Sequence, residues 1–366
     1  MPAPRTALSR ASIVIGALLV PVSLTACTQA PIGTPAPAAS GIAVPTGTPT
    51  DVATGLEAPW EVVRYDGTPF ISLRNSGEVL ELLDDGSTRR VGVVPDVQHR
   101  GGEGGLLGMA VGQDGDLYTY STAADGNRIE RFAVTGGAGS YALGAERTVL
   151  DGLPSNTYHD GGRIAFGPDG MLYASVGDAG SGDLAQDRDA ANGKILRMTP
   201  DGEVPDDNPF PDSLVYSLGH RNVQGLGWAS DGTMFAAEFS QDTWDELNVI
   251  RPGQNYGWPI EEGRGDDDRF TDPVQQWNPD DASPSGLAVI DDTIFIANLR
   301  GQVLRAVPPD APGTSRELYE GRYGRLRSVL AGPDDTLWIV TNNTDGRGNP
   351  DAGDDRILTV PLTSSS

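Results

Sequence analysis

Asp169-Gly170-Met171-Leu172-Tyr173-Ala174 sets an acidic turn directly before a burst of strand-forming residues. Asp-Gly favours a tight turn because glycine accepts positive φ without a Cβ clash. The same phrase stands at Asp66-Gly67 before Thr68-Pro69-Phe70-Ile71 and at Asp114-Gly115 before Asp116-Leu117-Tyr118. It returns at Asp231-Gly232 before Thr233-Met234-Phe235-Ala236. With a second Asp in place of Gly, it recurs at Asp291-Asp292 before Thr293-Ile294-Phe295-Ile296 and at Asp334-Asp335 before Thr336-Leu337-Trp338-Ile339. The successive offsets are 48, 55, 62, 60 and 43 residues. A turn followed by alternating apolar residues reads as a hairpin, and hairpins at a period near fifty residues read as radial blades. Six blades of about four strands predict an all-β, six-bladed β-propeller with its sites on loops around a central channel. A β-sandwich with coincidental Asp-Gly turns is the competing architecture, and the shared strand logic after each turn speaks against it.

The start of the chain is not read as part of that fold. Arg5 and Arg10 precede an apolar stretch, Ile13-Val14-Ile15-Gly16-Ala17-Leu18-Leu19-Val20, and Leu24-Thr25-Ala26-Cys27 follows. A basic start, a short apolar run and small residues make an export signal, too short and interrupted for a stable membrane span. Leu-Thr-Ala-Cys resembles the bacterial lipobox, which would make Cys27 the lipid-bearing first residue of the mature protein. An ordinary signal peptide cut nearby is the alternative. Lipid on one residue anchors a protein to a surface without spanning it. The expected organisation is a lipoprotein signal peptide over 1–26, a tether over 27–50 and a catalytic propeller over 51–366. The tether is rich in Thr, Pro, Ala and Gly, with Pro31, Pro35, Pro37, Pro45 and Pro49 interrupting any regular element. The expected location is the outer face of the cytoplasmic membrane or the cell envelope. Cys27 is the only cysteine, so no intrachain disulfide or cysteine-ligated metal cluster is available.

The 366-residue chain carries a formal net charge of −25. Such a surface repels nucleic acid, so no nucleic-acid partner is expected, and it disfavours an acidic ligand unless local arginines override the mean. With 38% apolar residues patterned in strands, the acidity is not a disorder signature.

Histidine is scarce: only His99, His159 and His220 occur. His159 stands in Tyr158-His159-Asp160-Gly161-Gly162-Arg163-Ile164-Ala165-Phe166. The glycine pair lets backbone approach a flat ligand, and the strand that follows puts His159 at or just before the inner edge of a blade. An imidazole there is either a general base or a hydrogen-bonded loop histidine. Ser217-Leu218-Gly219-His220-Arg221-Asn222-Val223-Gln224-Gly225 sets Arg, Asn and Gln between glycines, a donor fork with an amide pair. Arg325 and Arg327 share one face of a strand by period two. Arg300 closes another blade turn, in Asn298-Leu299-Arg300-Gly301. Four arginines at comparable inner-loop places in an acidic protein point to a flat, multiply anionic ligand. His99 and His220 are read as structural.

Five motifs in order carry a family resemblance over about residues 53 to 361. They are Gly102-Glu103-Gly104-Gly105-Leu106-Leu107-Gly108, His159-Asp160-Gly161-Gly162-Arg163, Gly219-His220-Arg221-Asn222-Val223-Gln224-Gly225, Asp245-Glu246-Leu247-Asn248 with Asn255-Tyr256-Gly257-Trp258-Pro259, and Arg325-Leu326-Arg327. The chain resembles the soluble pyrroloquinoline quinone (PQQ)-dependent sugar dehydrogenases, the glucose/sorbosone and aldose sugar dehydrogenase group. The resemblance implies a six-bladed propeller that oxidises aldoses at the anomeric carbon to lactones. Hydride would go to PQQ and electrons to an external acceptor. It implies His159 as the general base and Arg221 as the cation that neutralises charge on the quinone oxygen. Glu103, Tyr158, Asn222 and Gln224 would border the cofactor, Arg300 would take the place of the family's lysine, and Arg325 and Arg327 would bind cofactor carboxylates. In such a site the cofactor supplies the redox chemistry, and the protein supplies orientation and charge. The resemblance also implies a calcium ion (Ca2+) on two backbone carbonyls, in a stretch that often reads Glu-His-Gly-Pro. Here it reads Glu238-Phe239-Ser240-Gln241-Asp242, so the matching carbonyls belong to Ser240 and Gln241 and the proline's backbone restraint is missing.

Broad aldose use is expected over strict glucose use, because the chain is shorter than the glucose enzyme's pattern. Trp244, Trp258 and Trp277 are the aromatic candidates for a sugar pocket. Two rival readings remain: a calcium-dependent propeller hydrolase of the lactonase type, and a non-catalytic propeller that binds. The first needs acidic and Asn side chains converging on a channel ion. The second needs the loss of chemistry at His159 and Arg221.

Overall fold

In the computed structural model, residues 42–363 are described, and they form six antiparallel sheets of four or five strands. The first strands of the blades are Pro59–Tyr65, Leu106–Val111, Ile164–Phe166, Asn222–Trp228, Pro284–Ile290 and Leu326–Ala331. They pack on one another all the way around, the sixth returning to the first, so they form the wall of a central channel. The all-β, six-bladed propeller expected from the sequence is therefore the fold. Each of the six acidic turns joins a first strand to its second strand. Asp66 and Gly67 both adopt positive φ, as do Asp291 with Asp292 and Asp334 with Asp335. That is the geometry whose twist matches a two-residue hairpin.

The core lies between blades. Six apolar clusters each fill the seam between one neighbouring pair; Phe70 with Leu106 and Phe295 with Leu337 are examples. Second strands are covered on both faces: every residue of Leu117–Thr122 and of Thr293–Asn298 is buried. Such strands read as continuous runs, not alternations. Burying a Phe or Leu fully contributes roughly 1.5–3 kcal/mol, so the seams hold the ring together.

The sixth blade corrects the expected boundary of the tether. Its last strand, Ile357–Thr363, pairs with Val44–Pro45 and with Thr50–Ala53. Ala43 is buried, and its N–H donates to the Thr293 hydroxyl at 2.8 Å. Residues 43–50 thus belong to the packed ring and close it. The signal peptide over 1–26 and Cys27 lie outside the described residues.

Candidate active site

The hairpin turns gather at one end of the ring. The starts of all first strands and the ends of all second strands therefore meet at the other end. His159, Arg221 and Arg325 precede first strands; Asp178, Glu238 and Asn342 end or follow second strands. Irregular pairing at the mouth end of five first strands, at Trp60, Leu107–Gly108, Gln224, Ser285–Gly286 and Arg327, re-aims side chains there.

His159 Nδ1 lies 2.7 Å from Asp178 Oδ1. Asp178 also accepts the Gly180 N–H at 2.8 Å and the Trp258 indole N–H at 2.9 Å. Burial pushes the Asp178 carboxyl up, but these hydrogen bonds, with His159 foremost, outweigh it and hold the group below the usual carboxylate range. An ionised Asp178 is an acceptor only, so it accepts a hydrogen bond from Nδ1–H, which keeps the proton on Nδ1 and leaves Nε2 as the lone-pair nitrogen. Among the described residues Nε2 has no partner. His159 sits at φ 61°, a left-handed conformation costly for a side chain with Cβ and characteristic of functional loops. Glu103 holds it there by accepting the His159 N–H at 2.8 Å, and Gly161 N–H donates to Asn222 at 3.0 Å. Tyr158, half exposed, meets the imidazole edge-on at 4.6 Å.

Two buried guanidiniums stand beside this pair without a direct ion-pair contact. Arg221 donates to Gln241 Oε1 at 3.0 and 3.2 Å and to the Phe239 carbonyl at 3.3 Å, and lies 5.5 Å over the Trp258 ring. Arg327 donates to Gln224 Oε1 at 2.7 Å, the Ser285 hydroxyl at 3.1 Å and Asn342 Oδ1 at 3.2 Å. All these partners are neutral, and neither arginine forms an ion pair with a described residue. Burial draws Arg327 down to about 9, helped by Arg74, yet it stays cationic at neutral pH. Arg325 pairs with Asp345 at 3.1 Å, but its Nε is buried with no partner. A buried cation is costly unless charge compensates it; Asp178, Glu103 and Asp345 act on Arg221 and Arg327 only at a distance, which leaves their guanidiniums able to take an anionic ligand.

Below the mouth a bonded layer crosses the channel. Arg163 pairs with Glu61, which accepts the Ser328 hydroxyl at 2.9 Å, and Arg163 Nε donates to the Gln224 carbonyl at 2.8 Å. Arg163 and Arg327 both stack on Trp60, at 4.2 and 5.5 Å. Under this layer the channel continues as a cavity of about 310 Å³, lined by Glu61 and Arg163 together with apolar residues such as Val63, Met109 and Phe166.

Behind Arg221, buried Glu238 accepts from His220 Nδ1 at 2.8 Å and Arg221 N–H, while His220 Nε2 meets the Ser217 hydroxyl and the ring stacks on Tyr256. His220 is thus structural, as is His99, whose Nδ1 meets the Gly104 carbonyl. Adjacent Glu246 is pushed up to about 8 by burial and then by the Glu238 charge. The folded chain keeps this proton up to about pH 8, whereas the unfolded chain releases it near 4.5. The Glu246 contribution to stability therefore falls as pH rises through that window. Glu246→Gln is expected to flatten the decline of Tm over that interval, and an unchanged profile would show that the carboxyl is already ionised at pH 7.

His159, Arg221, Glu103, Tyr158, Asn222, Gln224, Arg325 and Arg327 come together at the mouth or in the layer beneath it. Arg300 does not join them. It is more than half exposed and pairs with Asp280, so it is a rim residue and not one of the buried cations. Trp277 lies on the outermost strand of its blade under Arg305, away from the channel, whereas Trp258 sits on Asp178 and Arg221. Sequence reasoning missed the pairing of Asp178 with His159, and the parts played by Trp60, Asn342 and Asp345. Their shared signal was position: each lies at the mouth end of a first or second strand.

The chain belongs to the glucose/sorbosone dehydrogenase family, whose model matches residues 56–350. In structure it is similar to the PQQ-bound aldose sugar dehydrogenase of Streptomyces coelicolor, with 47% identity, a TM-score of 0.83 and coverage of 90% of this chain and 100% of that one. In sequence it is 31% identical to the aldose sugar dehydrogenase YliI of Escherichia coli over 69% of this chain and 78% of the relative. It is also 32% identical to quinoprotein glucose dehydrogenase B of Acinetobacter calcoaceticus over 56% of this chain, and that match spans only half (50%) of the relative's length.

Proposed function

We propose that this chain is a PQQ-dependent aldose dehydrogenase. The observation that carries the reading is the pair of buried guanidiniums, Arg221 and Arg327, hydrogen-bonded only to neutral groups beside a His–Asp pair. A tricarboxylate quinone brings carboxylates that could contact these guanidiniums directly. Arg325 and Arg327 would hold its carboxylates; Arg221, Asn222 and Glu103 would border its ring. When bound, the quinone supplies the hydride acceptor for the sugar's anomeric carbon. His159 Nε2 takes the proton of the anomeric hydroxyl, and Asp178 keeps the ring in the tautomer that can do so and stabilises the imidazolium. Arg221 offsets negative charge as it develops. The carbonyls of Ser240 and Gln241 would hold calcium, whose oxygen preference they satisfy. A broad range of aldoses, an external electron acceptor and a lipid anchor at Cys27 complete the proposal.

The lactonase alternative needs side-chain carboxylates around a channel ion. Among the described residues, no group of three or more His, Cys, Asp or Glu side chains is placed to hold one. Purified protein supplied with PQQ and calcium should reduce a dye with several aldoses. Lactone hydrolysis without quinone would replace this reading with the hydrolase, and tight PQQ binding without turnover would replace it with a binding scaffold.

A further inference from the structure

Glu262 stands three residues after Pro259, in the connection that also carries Trp258. Its Oε1 accepts the backbone N–H groups of Gln241 at 2.7 Å, Asp242 at 3.0 Å, Thr243 at 3.0 Å and Trp244 at 3.3 Å. Successive amides pointed at one anion form a nest. In a trans peptide the N–H and the preceding C=O point in opposite directions. The carbonyls of Ser240, Gln241, Asp242 and Thr243 are therefore turned away from Glu262. None of the four accepts a hydrogen bond from a described residue. Arg221 marks the side they border, since its guanidinium donates to the Phe239 carbonyl and to Gln241 Oε1 of the same segment. A proline at 241 could not donate the shortest of the four bonds, because it has no N–H.

We infer that Glu262 is a positioning residue that holds the carbonyl row of Ser240–Thr243 outward for a hard cation at the cofactor. Its charge gathers the positive ends of four peptide dipoles and leaves the negative ends facing out. Hard divalent cations such as calcium bind oxygen donors of this kind. The inference rests on the PQQ-and-calcium reading above and adds a residue that touches neither ligand.

The test is the ratio of PQQ affinity at one fixed free calcium concentration, enough to fill the PQQ-bound site of the parent chain but not its empty site, to that with a chelator, read by spectral titration of the full protein, with no sugar present. At that concentration the ratio scales with the calcium affinity of the PQQ-bound site. Loss of a residue that orients metal ligands typically weakens metal binding about 10- to 100-fold. Glu262→Ala should therefore shrink the ratio by about that factor and leave the affinity in chelator unchanged. Glu262→Gln, which keeps an acceptor oxygen without the charge, should fall between, and Glu261→Gln should match the parent chain. Equal loss of affinity in both conditions would make Glu262 merely structural and overturn the inference, as would an unchanged ratio. A parent chain whose PQQ affinity ignores calcium would remove the calcium assignment and this inference together, and one that binds no PQQ would remove the proposed function itself.

Discussion

His159→Ala should abolish aldose-dependent dye reduction, lowering kcat by about 10²- to 10⁴-fold, the usual worth of a positioned general base. PQQ affinity should change little, because His159 hydrogen-bonds to Asp178 through Nδ1 and to Glu103 through its backbone. The imidazole is thus held by protein groups and needs no cofactor to fix it. Stopped-flow turnover and PQQ titration on the same preparation separate the two effects. A variant that keeps more than a tenth of parental kcat would remove His159 from the proton transfer. One that loses cofactor affinity along with kcat would recast it as part of the cofactor's seat.

Arg327→Met is expected to do the opposite. Removing a buried, hydrogen-bonded charge from an interface costs about 2–5 kcal/mol, so PQQ affinity should fall by about 30-fold to several thousandfold. Relative kcat/KM among aldoses should stay as it was, because Arg327 lies in the bonded layer with Gln224 and Ser285, below the mouth. The variant leaves no opposite charge stranded, since every Arg327 partner is neutral. Its Tm without cofactor therefore serves as the control for folding. Equal losses in cofactor affinity and in sugar discrimination would count against the assignment. Arg300→Met supplies the contrast: an exposed side chain paired with Asp280 should leave PQQ affinity near the parental value.

The fold was readable because its signal is local. Asp66-Gly67 and its successors specify a turn through the φ preferences of two adjacent residues, and their repetition counts the blades. The His159 segment was readable for the same reason: a rare titratable residue beside a glycine pair. The remainder depends on contacts between distant parts of the chain. Asp178 reaches His159 only because one hairpin folds back, and Arg327 is buried only because irregular pairing turns it into the channel. Arg300 reads like Arg325 in sequence, and the difference between them is solvent. The Pro- and Thr-rich residues before 51 look like a tether by composition, yet Val44 finds Thr363 across the closed ring. Local patterns hold no record of that distance.

The layer of Glu61, Arg163, Trp60 and Arg327 stoppers the shaft of the ring at mid-depth. Whatever reaches the end that carries His159 must leave by the same doorway. Sugar, oxidised product and any small oxidant would then have to take turns there, each vacating before the next arrives. Plumbing alone would impose a sequence of events on the reaction.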